Sequence, residues 1–414
     1  MSGNDVSPQP TPSGSDRINL RRPDIVADVQ SQVESHYRSQ LVQKIRAAGS
    51  VIYAPGLTIR LAKEFGFCYG VERAINLAYA SRKAFPDQPI YILGEIIHNP
   101  DVNDHLRNMG IRFLSGKEKS ADVKDLQAGD IVIIPAFGAQ LSTMDILRAK
   151  GCRFIDTTCG DVMSVWRRVR QYANENFTSL IHGKAWHEET LATSSRATAH
   201  GDGRYLVVFT LDDTDFVCDY ILNGGDKKAF LEKFKGACSP NFDPDIHLEA
   251  IGVANQTTML RNETEEFQRK LRNAMVQKYG EENIEKHFKR YDTICGATQE
   301  RQNALRSLLK EPMDLLLVLG GYNSSNTSHL AEMGEAVLPT YFIKGAEEII
   351  SADLIRHYDF HLKSEKETSP WLPNDKETVT IGITAGASCP NNIIENTIHR
   401  LAELKNLKIE DFIQ

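Results

Sequence analysis

Three of the seven cysteines stand at repeated positions in this 414-residue sequence. The pentapeptide Asp-Thr-Thr-Cys-Gly at 156–160 recurs as Asp-Thr-Ile-Cys-Gly at 292–296, and Gly-Phe-Cys-Tyr-Gly occupies 66–70. A helical pattern follows each cysteine, and the unpaired N–H groups at a helix N-terminus favour a thiolate. An isolated cysteine is usually a small core residue, but the repetition makes these three candidate metal ligands. They are Cys68, Cys159 and Cys295.

The spacing of these cysteines favours an iron–sulfur cluster over zinc. Structural zinc sites use closely spaced ligand pairs, which this sequence lacks. Each iron of a four-iron cluster takes one thiolate, so three distant cysteines would leave the fourth iron open to a substrate. We therefore expect one [4Fe–4S] cluster per chain, with Gly70, Gly160 and Gly296 keeping side-chain bulk away from it.

The remaining cysteines predict no disulfide framework, because the total is odd and no short spacing repeats. We interpret Cys152, Cys218 and Cys238 as structural. Cys389 follows the small loop at 386–388, so we expect it near the centre without binding metal.

Composition limits the classes of partner. A net charge of −7 and a pI of about 6.0 give no electrostatic footprint for nucleic acid. No apolar run approaches the roughly 20 residues that span a bilayer, and the N-terminus lacks the apolar region of a secretory signal. We expect a cytoplasmic protein that binds neither nucleic acid nor membrane.

Three similar units follow one another along the chain. Each has a helical pattern after its cysteine, then an apolar strand with a polar loop, and later a second strand with another small loop. The expected helices cover 71–85, 162–176 and 297–310. The expected strands cover 89–93, 178–181 and 313–319, and then 130–134, 249–253 and 378–383. This order predicts an α/β fold of three pseudo-symmetric, small parallel-sheet domains around a central iron–sulfur cluster.

The predicted boundaries are 1–57 for an N-terminal tail and helix, and 58–156, 157–291 and 292–414 for the three domains. Residues 1–20 are rich in Ser, Pro and Gly and predict a disordered tail, whereas 23–48 has the periodicity of one amphipathic helix. The second domain is longer than the others, and we expect its excess, 195–245, to be an insertion on the surface.

Polar loops follow the strands of all three units, and in parallel sheets such loops gather at the ligand-binding edge. Their neutral donors suit a phosphate group. These donors include His98, Asn99, His187, Ser324, Asn326 and Ser388. Glu189 is the only acid that we place in the centre, where burial beside a diphosphate should raise its proton affinity. It would act as a general acid with Thr257 as relay.

Seven motifs together resemble those of the 4-hydroxy-3-methylbut-2-enyl diphosphate reductases, from about Thr58 to the C-terminus and in the same order. They are the segments at 66–75, 97–99, 156–159, 187–190, 256–258, 323–326 and 385–388. The N-terminal extension and the long second unit resemble the cyanobacterial and plastid-type branch.

The resemblance implies the last step of the non-mevalonate isoprenoid pathway, a two-electron reductive dehydroxylation that gives isopentenyl and dimethylallyl diphosphates. It implies that Cys68, Cys159 and Cys295 hold a [4Fe–4S] cluster whose unique iron binds the substrate hydroxyl. It also implies that Glu189 and Thr257 deliver protons. The residues implied to bind the allylic diphosphate are His98, His187, Thr257, Asn323, Ser324, Ser325, Asn326 and Ser388.

The electron donor implied by the resemblance is ferredoxin or flavodoxin, and no nicotinamide fingerprint occurs in the sequence. In a photosynthetic eukaryote the location would be the plastid stroma. One departure is Phe137, where many family members have a diphosphate-binding histidine. His182 and Lys184 are candidates to replace it.

Two other functions remain open at this point. One is a non-redox dehydratase resembling quinolinate synthase, which also combines three related domains, three cysteines and an open-iron cluster. The other is a non-enzymatic iron–sulfur sensor or scaffold, which would have no need of Glu189 among phosphate donors. Reductant consumed per product separates the reductase from the first, and a diphosphate-dependent cluster spectrum separates it from the second.

Overall fold

The computed structural model describes residues 16–20, 23–199, 202–291, 293–373 and 375–412. The strands are β1 (Val51–Ala54), β2 (Leu57–Leu61), β3 (Ile90–Ile92), β4 (Arg112–Phe113), β5 (Ile131–Ile134), β6 (Arg153–Asp156), β7 (Thr178–His182), β8 (Tyr205–Val208), β9 (Ile251–Asn255), β10 (Phe288–Arg290), β11 (Leu315–Leu319), β12 (Thr340–Ile343), β13 (Ile355–Asp359), β14 (Ser364–Thr368) and β15 (Val379–Ala385).

The helices are α1 (Pro23–Tyr37), α2 (Gln40–Ala47), α3 (Tyr69–Ala84), α4 (Pro100–Asn108), α5 (Leu141–Ala149), α6 (Gly160–Asn174), α7 (Glu188–Ala197), α8 (Leu211–Asn223), α9 (Lys227–Lys233), α10 (Pro244–His247), α11 (Arg261–Tyr279), α12 (Ile284–His287), α13 (Gly296–Leu308), α14 (Ser325–Glu335) and α15 (Asn391–Glu403). The predicted helices after the cysteines and the predicted strands are all present, with ends shifted by a few residues.

Two of the three main sheets share one topology. The first sheet has the order β4-β3-β5-β6 and the second has β10-β9-β7-β8, and every pairing in them is parallel. In both sheets, the second strand along the chain lies on one side of the first strand. The third strand lies on the other side of the first, and the fourth lies beyond the third. The prediction of an α/β fold with repeated parallel sheets is confirmed.

The third sheet has the same arrangement, but one of its strands, β2, comes from the N-terminal part of the chain. Its order is β12-β11-β15-β2-β1, in which β2 runs parallel to β15 and fills the fourth position. β1 adds an antiparallel edge. The predicted boundary at 58 therefore assigns β2 to the wrong unit, because a short apolar run does not reveal which sheet it will join.

Each unit has its own apolar core, and the N-terminal helices connect two of them. Val29 and Val33 of α1 belong to the core around the first sheet, whereas Val42 and Ile45 of α2 belong to the core around the third. The single helix predicted over 23–48 is wrong. The chain breaks before α2, where the Ser39 hydroxyl accepts a hydrogen bond from Val42 N at 2.9 Å.

The described end of the predicted tail is ordered against the first sheet. Ile18 N donates to Phe154 O and Phe154 N donates to Asp16 O, both at 2.7 Å, and Leu20 is buried. The prediction of disorder is therefore wrong for 16–20, while residues 1–15 lie outside the described part of the chain.

The segment 195–245 is not a surface insertion. It contains β8, the edge strand of the second sheet, and its side chains Val217 and Phe230 are fully buried in the core of that unit. The polar composition concealed this because the exposed positions of α8 and α9 are mostly charged, whereas Val217 and Phe230 lie inside. Within the described residues, no helix is both long enough and apolar enough to cross a membrane.

Candidate active site

Each of the three repeated cysteines begins a helix, as the sequence predicts. Cys68, Cys159 and Cys295 are the N-cap residues of α3, α6 and α13, and none of their side chains makes a capping hydrogen bond. The strands β2, β6 and β10, which occupy the fourth position in their sheets, lead directly to these helices. The fold thus places one cysteine sulfur that does not cap its helix at the N-terminus of each of the three helices.

The three cysteines line one pocket between the units. A Cβ atom added to Gly70 would lie 2.6 Å from Cys159 Sγ and 4.0 Å from Cys68 Sγ, so these two sulfurs are at most 6.6 Å apart. No atom lies within 4 Å of the corresponding positions at Gly160 and Gly296. Contacts with other protein atoms therefore support the expected need for glycine only at Gly70, among the three positions.

The sulfur positions fit a cluster better than a single ion. The three Sγ atoms do not all lie within 4.8 Å of one another, whereas thiolates on one zinc ion are about 3.8 Å apart. Burial raises the pKa of the Cys159 thiol, and burial together with Asp161 raises that of Cys295 to about 12. A thiol gives up its proton when it binds a metal ion, so these two cysteines would release protons as the site fills.

The four other cysteines do not line this pocket. Cys152 is buried in the first unit, and Cys218 and Cys238 pack against the core of the second. Cys389 is fully buried in the core of the third unit, with Sγ 3.8 Å from Pro390 O. Its expected position near the centre is wrong, since its side chain points away from the pocket.

Glu189 and Thr257 form a buried pair in the pocket wall. The Glu189 carboxylate accepts hydrogen bonds from Thr257 N at 2.6 Å and from Thr257 Oγ1 at 2.9 Å. Burial nevertheless raises the pKa of Glu189 to about 7, since desolvation outweighs these two hydrogen bonds. The carboxyl group can therefore hold or release a proton near neutral pH.

Several polar atoms in this pocket have no protein partner. They are buried and form no hydrogen bond within the described chain: His98 Nε2, His187 Nε2, Ser325 Oγ, Asn326 Nδ2 and Asn326 Oδ1. A buried polar atom without a partner is costly and usually marks a ligand site. Ser324 and Ser388 line the same pocket. The set includes the neutral donors His187 Nε2, Ser325 Oγ and Asn326 Nδ2, which suit the binding of a phosphate group.

Helix N-termini strengthen this anion site. His187 is the N-cap of α7 and Ser324 is the N-cap of α14, while Asn99, next to His98, caps α4 through a bond from Val102 N. Their exposed N–H groups and the positive ends of the helix dipoles favour a negatively charged ligand. The Asn99 side chain caps α4 and does not line the pocket.

His98, His187 and Glu188 bring ligand atoms within 4.8 Å of one another, but His187 is poorly arranged to bind a metal ion. Its Nδ1 accepts a hydrogen bond from Glu189 N at 3.2 Å, so the neutral ring carries its proton on Nε2. Burial, with His98 and Lys184 nearby, keeps the pKa of His187 well below its usual value. His187 therefore offers the pocket an N–H donor, which suits an anion.

Three predicted positions differ from expectation. Asn323 does not line the pocket; its Nδ2 donates to Glu95 Oε2 at 2.6 Å behind His98. His182, suggested as a replacement for the histidine missing at Phe137, is fully buried and bonded to Thr264 Oγ1. Lys184 does not line the pocket either. Phe137 itself does, and its ring stacks on that of His98 with centroids 4.8 Å apart.

Sequence reasoning missed two acids. Asp161 lines the pocket beside Cys295, so Glu189 is not the only acid in the centre. Glu95 Oε2 lies 2.9 Å from His98 Nδ1. Asp161 could have been found from its place two residues after a ligand cysteine. Glu95 stands three residues before His98 in an irregular loop, where spacing gives no signal.

Comparisons with known proteins find relatives over most of the chain. A family model described as LytB protein matches residues 59–402. The curated protein 4-hydroxy-3-methylbut-2-enyl diphosphate reductase of Gloeobacter violaceus is 49% identical over 386 residues, covering 92% of this chain and 91% of that protein. The protein of the same name from Thermosynechococcus vestitus is 47% identical, covering 92% and 93%.

Two solved structures resemble the chain. One is described as (E)-4-hydroxy-3-methyl-but-2-enyl diphosphate reductase, the terminal enzyme of the non-mevalonate pathway, with a TM-score of 0.50, 29% identity and coverage of 83% of this chain and 99% of that one. The reductase from Plasmodium falciparum has a TM-score of 0.61 at 24% identity, covering 83% and 87%. The second likeness supports the fold alone.

Proposed function

Because the chain belongs to the LytB protein family, we propose that it is a 4-hydroxy-3-methylbut-2-enyl diphosphate reductase that works with a [4Fe–4S] cluster. The observation that carries the proposal is one pocket that combines three helix-capping cysteines, a buried carboxyl group and a set of unpartnered donors. The reaction is a two-electron reductive dehydroxylation that gives isopentenyl and dimethylallyl diphosphates.

Cys68, Cys159 and Cys295 would hold the cluster, which supplies a Lewis-acidic iron and electrons when it is bound. The helix dipoles at the starts of α3, α6 and α13 would favour the thiolate form of the sulfurs once they bind the cluster. In the pocket wall, the diphosphate would be bound by donors from three units. These are His98, His187, Thr257, Ser324, Ser325, Asn326 and Ser388, with Asn323 supporting His98 from behind.

Glu189 would supply the protons for C–O cleavage, with Thr257 as relay. Its carboxyl group is buried, and its raised pKa of about 7 keeps a substantial protonated fraction at neutral pH. Thr257 Oγ1, 2.9 Å from Glu189 Oε2, is placed to pass a proton between this group and the substrate.

We propose an external protein as the electron donor. The reaction needs two electrons, and we expect them to arrive singly from ferredoxin or flavodoxin. We place the reaction in the cytoplasm, or in the plastid stroma of a photosynthetic eukaryote. The names of the relatives do not favour the quinolinate synthase-like dehydratase, and a sensor would not require the buried Glu189–Thr257 pair.

Anaerobic purification with iron and sulfide analysis, followed by substrate-dependent oxidation of a reduced viologen dye, tests the proposal. We expect about four irons per chain and dye oxidation in proportion to product. Cys159→Ser should lose iron and activity, whereas the matched Cys152→Ser, outside the pocket, should keep both. Product formed without consumption of reductant would contradict the reductase and favour a dehydratase.

A further inference from the structure

Glu95 is a carboxylate placed directly behind the proposed diphosphate site. Its Oε2 atom lies 2.9 Å from His98 Nδ1 and accepts a hydrogen bond from Asn323 Nδ2 at 2.6 Å. The Glu95 and His98 side chains are only 18% and 12% exposed. A negative charge so close to an anion site is unfavourable unless a positive charge separates the two.

The hydrogen bond to Glu95 fixes the proton of the neutral His98 ring. Asn323 Nδ2 also lies 3.2 Å from His98 Nδ1, but its shorter hydrogen bond is the one to Glu95 Oε2. A carboxylate can only accept, so we assign the proton to Nδ1 and the lone pair to Nε2. His98 Nε2 is buried, lines the pocket and has no partner in the described chain. A lone pair there would repel a phosphate oxygen, whereas a second proton on Nε2 would turn it into a charge-assisted donor.

Phe137 provides a favourable surface for the charged ring. The two rings are nearly parallel, at 8° with centroids 4.8 Å apart, and an aromatic face attracts a cation. A histidine at 137 would add a donor but also a second group able to carry positive charge. The departure at Phe137 therefore makes a charged His98 easier to hold.

The other ionisable groups that face His98 are few among the described residues. Glu188 Oε2 lies 3.9 Å from Nε2 on an exposed side chain, and the His187 ring is 5.3 Å away. Glu189 lines the same pocket. Of the two rings, only His98 has a carboxylate at its Nδ1 atom, since His187 Nδ1 accepts a hydrogen bond from Glu189 N.

We propose that Glu95 is a positioning residue which causes His98 to take up one proton at Nε2 when diphosphate binds. The proton comes from a solvent or buffer acid, whose bond to it breaks as the N–H bond forms, and no oxidation state changes. The imidazolium is then held between the Glu95 carboxylate, the Phe137 ring and the diphosphate. This inference rests on the proposed function only in taking diphosphate as the ligand of the pocket.

Titration calorimetry tests the inference with the cluster-loaded protein and inorganic diphosphate. Binding is measured at one mildly alkaline pH in buffers of different ionisation enthalpy, which gives the number of protons taken up. We expect the wild type to take up about one proton more than Glu95→Gln and than His98→Asn. We also expect Glu95→Gln to raise KM roughly tenfold with little change in kcat.

Glu332→Gln is a matched control, because His329 Nδ1 lies 2.9 Å from Glu332 Oε2 with the same three-residue spacing but outside the pocket. It should keep the proton uptake of the wild type. Equal uptake in the wild type and Glu95→Gln would overturn the inference and leave the diphosphate site intact. Absence of diphosphate binding to the wild type would overturn both.

If Glu95→Gln does not fold, the wild type still gives a result. Nitrogen-15 NMR of the imidazole rings, with the His98 signals assigned from His98→Asn, reports the proton on each ring nitrogen. Protonation of both nitrogens only in the presence of diphosphate supports the inference. An unprotonated Nε2 in the complex overturns it.

Discussion

Glu189 combines two features that rarely occur together: full burial and two hydrogen bonds from a single residue. Both bonds come from Thr257, and they stabilise the carboxylate, but burial dominates and raises its pKa to about 7. A carboxyl group with this balance suits the role of proton donor that we propose for Glu189.

Glu189→Gln should keep the cluster and lose turnover. The amide retains the size of the side chain but cannot donate a proton as an acid, so we expect kcat to fall by about a hundredfold or more. The visible absorption spectrum of the cluster should match that of the wild type. Turnover close to the wild-type value would remove Glu189 from the mechanism.

The dependence of turnover on pH should report the same group. The proposed mechanism requires the acid form of Glu189, whose fraction falls as the pH rises through about 7, so kcat should decline above that pH. The residual activity of Glu189→Gln should lack this decline. A wild-type profile that stays flat from pH 6 to 8, a window of about one unit on each side, would contradict the assignment.

Most site residues could be predicted from the sequence because each lies in a short loop directly after a strand. His98, His187 and Ser388 are examples, and all line the pocket. The role of Asn323 could not be predicted, since its partner Glu95 belongs to another unit and is 228 positions away. Contacts of this kind depend on how units pack, which local patterns do not encode.

At the scale of elements, the starts of the three helices determine where the sulfurs lie. α3 approaches α6 so closely that a Cβ atom at Gly70 would be 2.6 Å from Cys159 Sγ. Such a distance is shorter than any real contact allows, so the missing side chain at Gly70 sets the spacing between the first and second cysteines.

Gly70→Ala should therefore impair cluster loading. The added methyl group must push the Cys159 sulfur aside, and we expect the iron content after anaerobic reconstitution to fall to about half or less. Gly160→Ala is the control, because no atom lies within 4 Å of its Cβ position. Full iron content in Gly70→Ala would show that the helices separate easily.

The borrowed strand β2 should contribute strongly to stability. Ile59 is fully buried where β2 pairs with β15, so Ile59→Ala should lower the free energy of unfolding by about 2–5 kcal/mol. Tyr53 on the neighbouring strand β1 is 67% exposed, and Tyr53→Ala should have a small effect. Denaturant titration of both variants checks this, and equal losses would argue against β2 as a core strand.

The strands and helices themselves followed from apolar periodicity, but their assignment to sheets did not. The apolar residues of β2 have the pattern of any short buried strand and do not identify its partner. The partner is explained only by the strand order 2-1-3-4 that the three sheets share, in which β2 takes the fourth position of the third sheet. The segment 195–245 shows the opposite error. Its charged residues predict a surface position, but it also contains Val217 and Phe230, which lie in the core. The composition of a segment does not distinguish the face that is buried in the fold from the face that is exposed.

At the scale of the whole molecule, each unit holds the segment that carries the cysteine of a neighbouring one. Arg73 donates to Thr158 O beside Cys159, at 3.3 Å. Asn255 Nδ2 donates to Thr293 O near Cys295, at 3.4 Å. Arg301, which is buried, donates to Gly66 O near Cys68, at 2.6 Å. The three contacts close a ring around the pocket.

Arg301→Met should loosen the site more than the fold. The substitution keeps much of the buried volume but removes the bond to Gly66 O, so Cys68 would be less firmly positioned. We expect a chelator to remove iron about tenfold faster, with only a modest change in thermal stability. Arg306→Met, on the exposed side of the same helix, is the control. Equal iron release in the two variants would argue against a supporting role for Arg301.

The pairing of β2 with β15 also orders events during synthesis. β2 is synthesised before β15, its partner in the third sheet, which spans Val379–Ala385, so the two strands can pair only after residue 385 has left the ribosome. Cys68 lies seven residues after β2. We therefore expect a cluster held by Cys68 to be inserted after β15 has emerged.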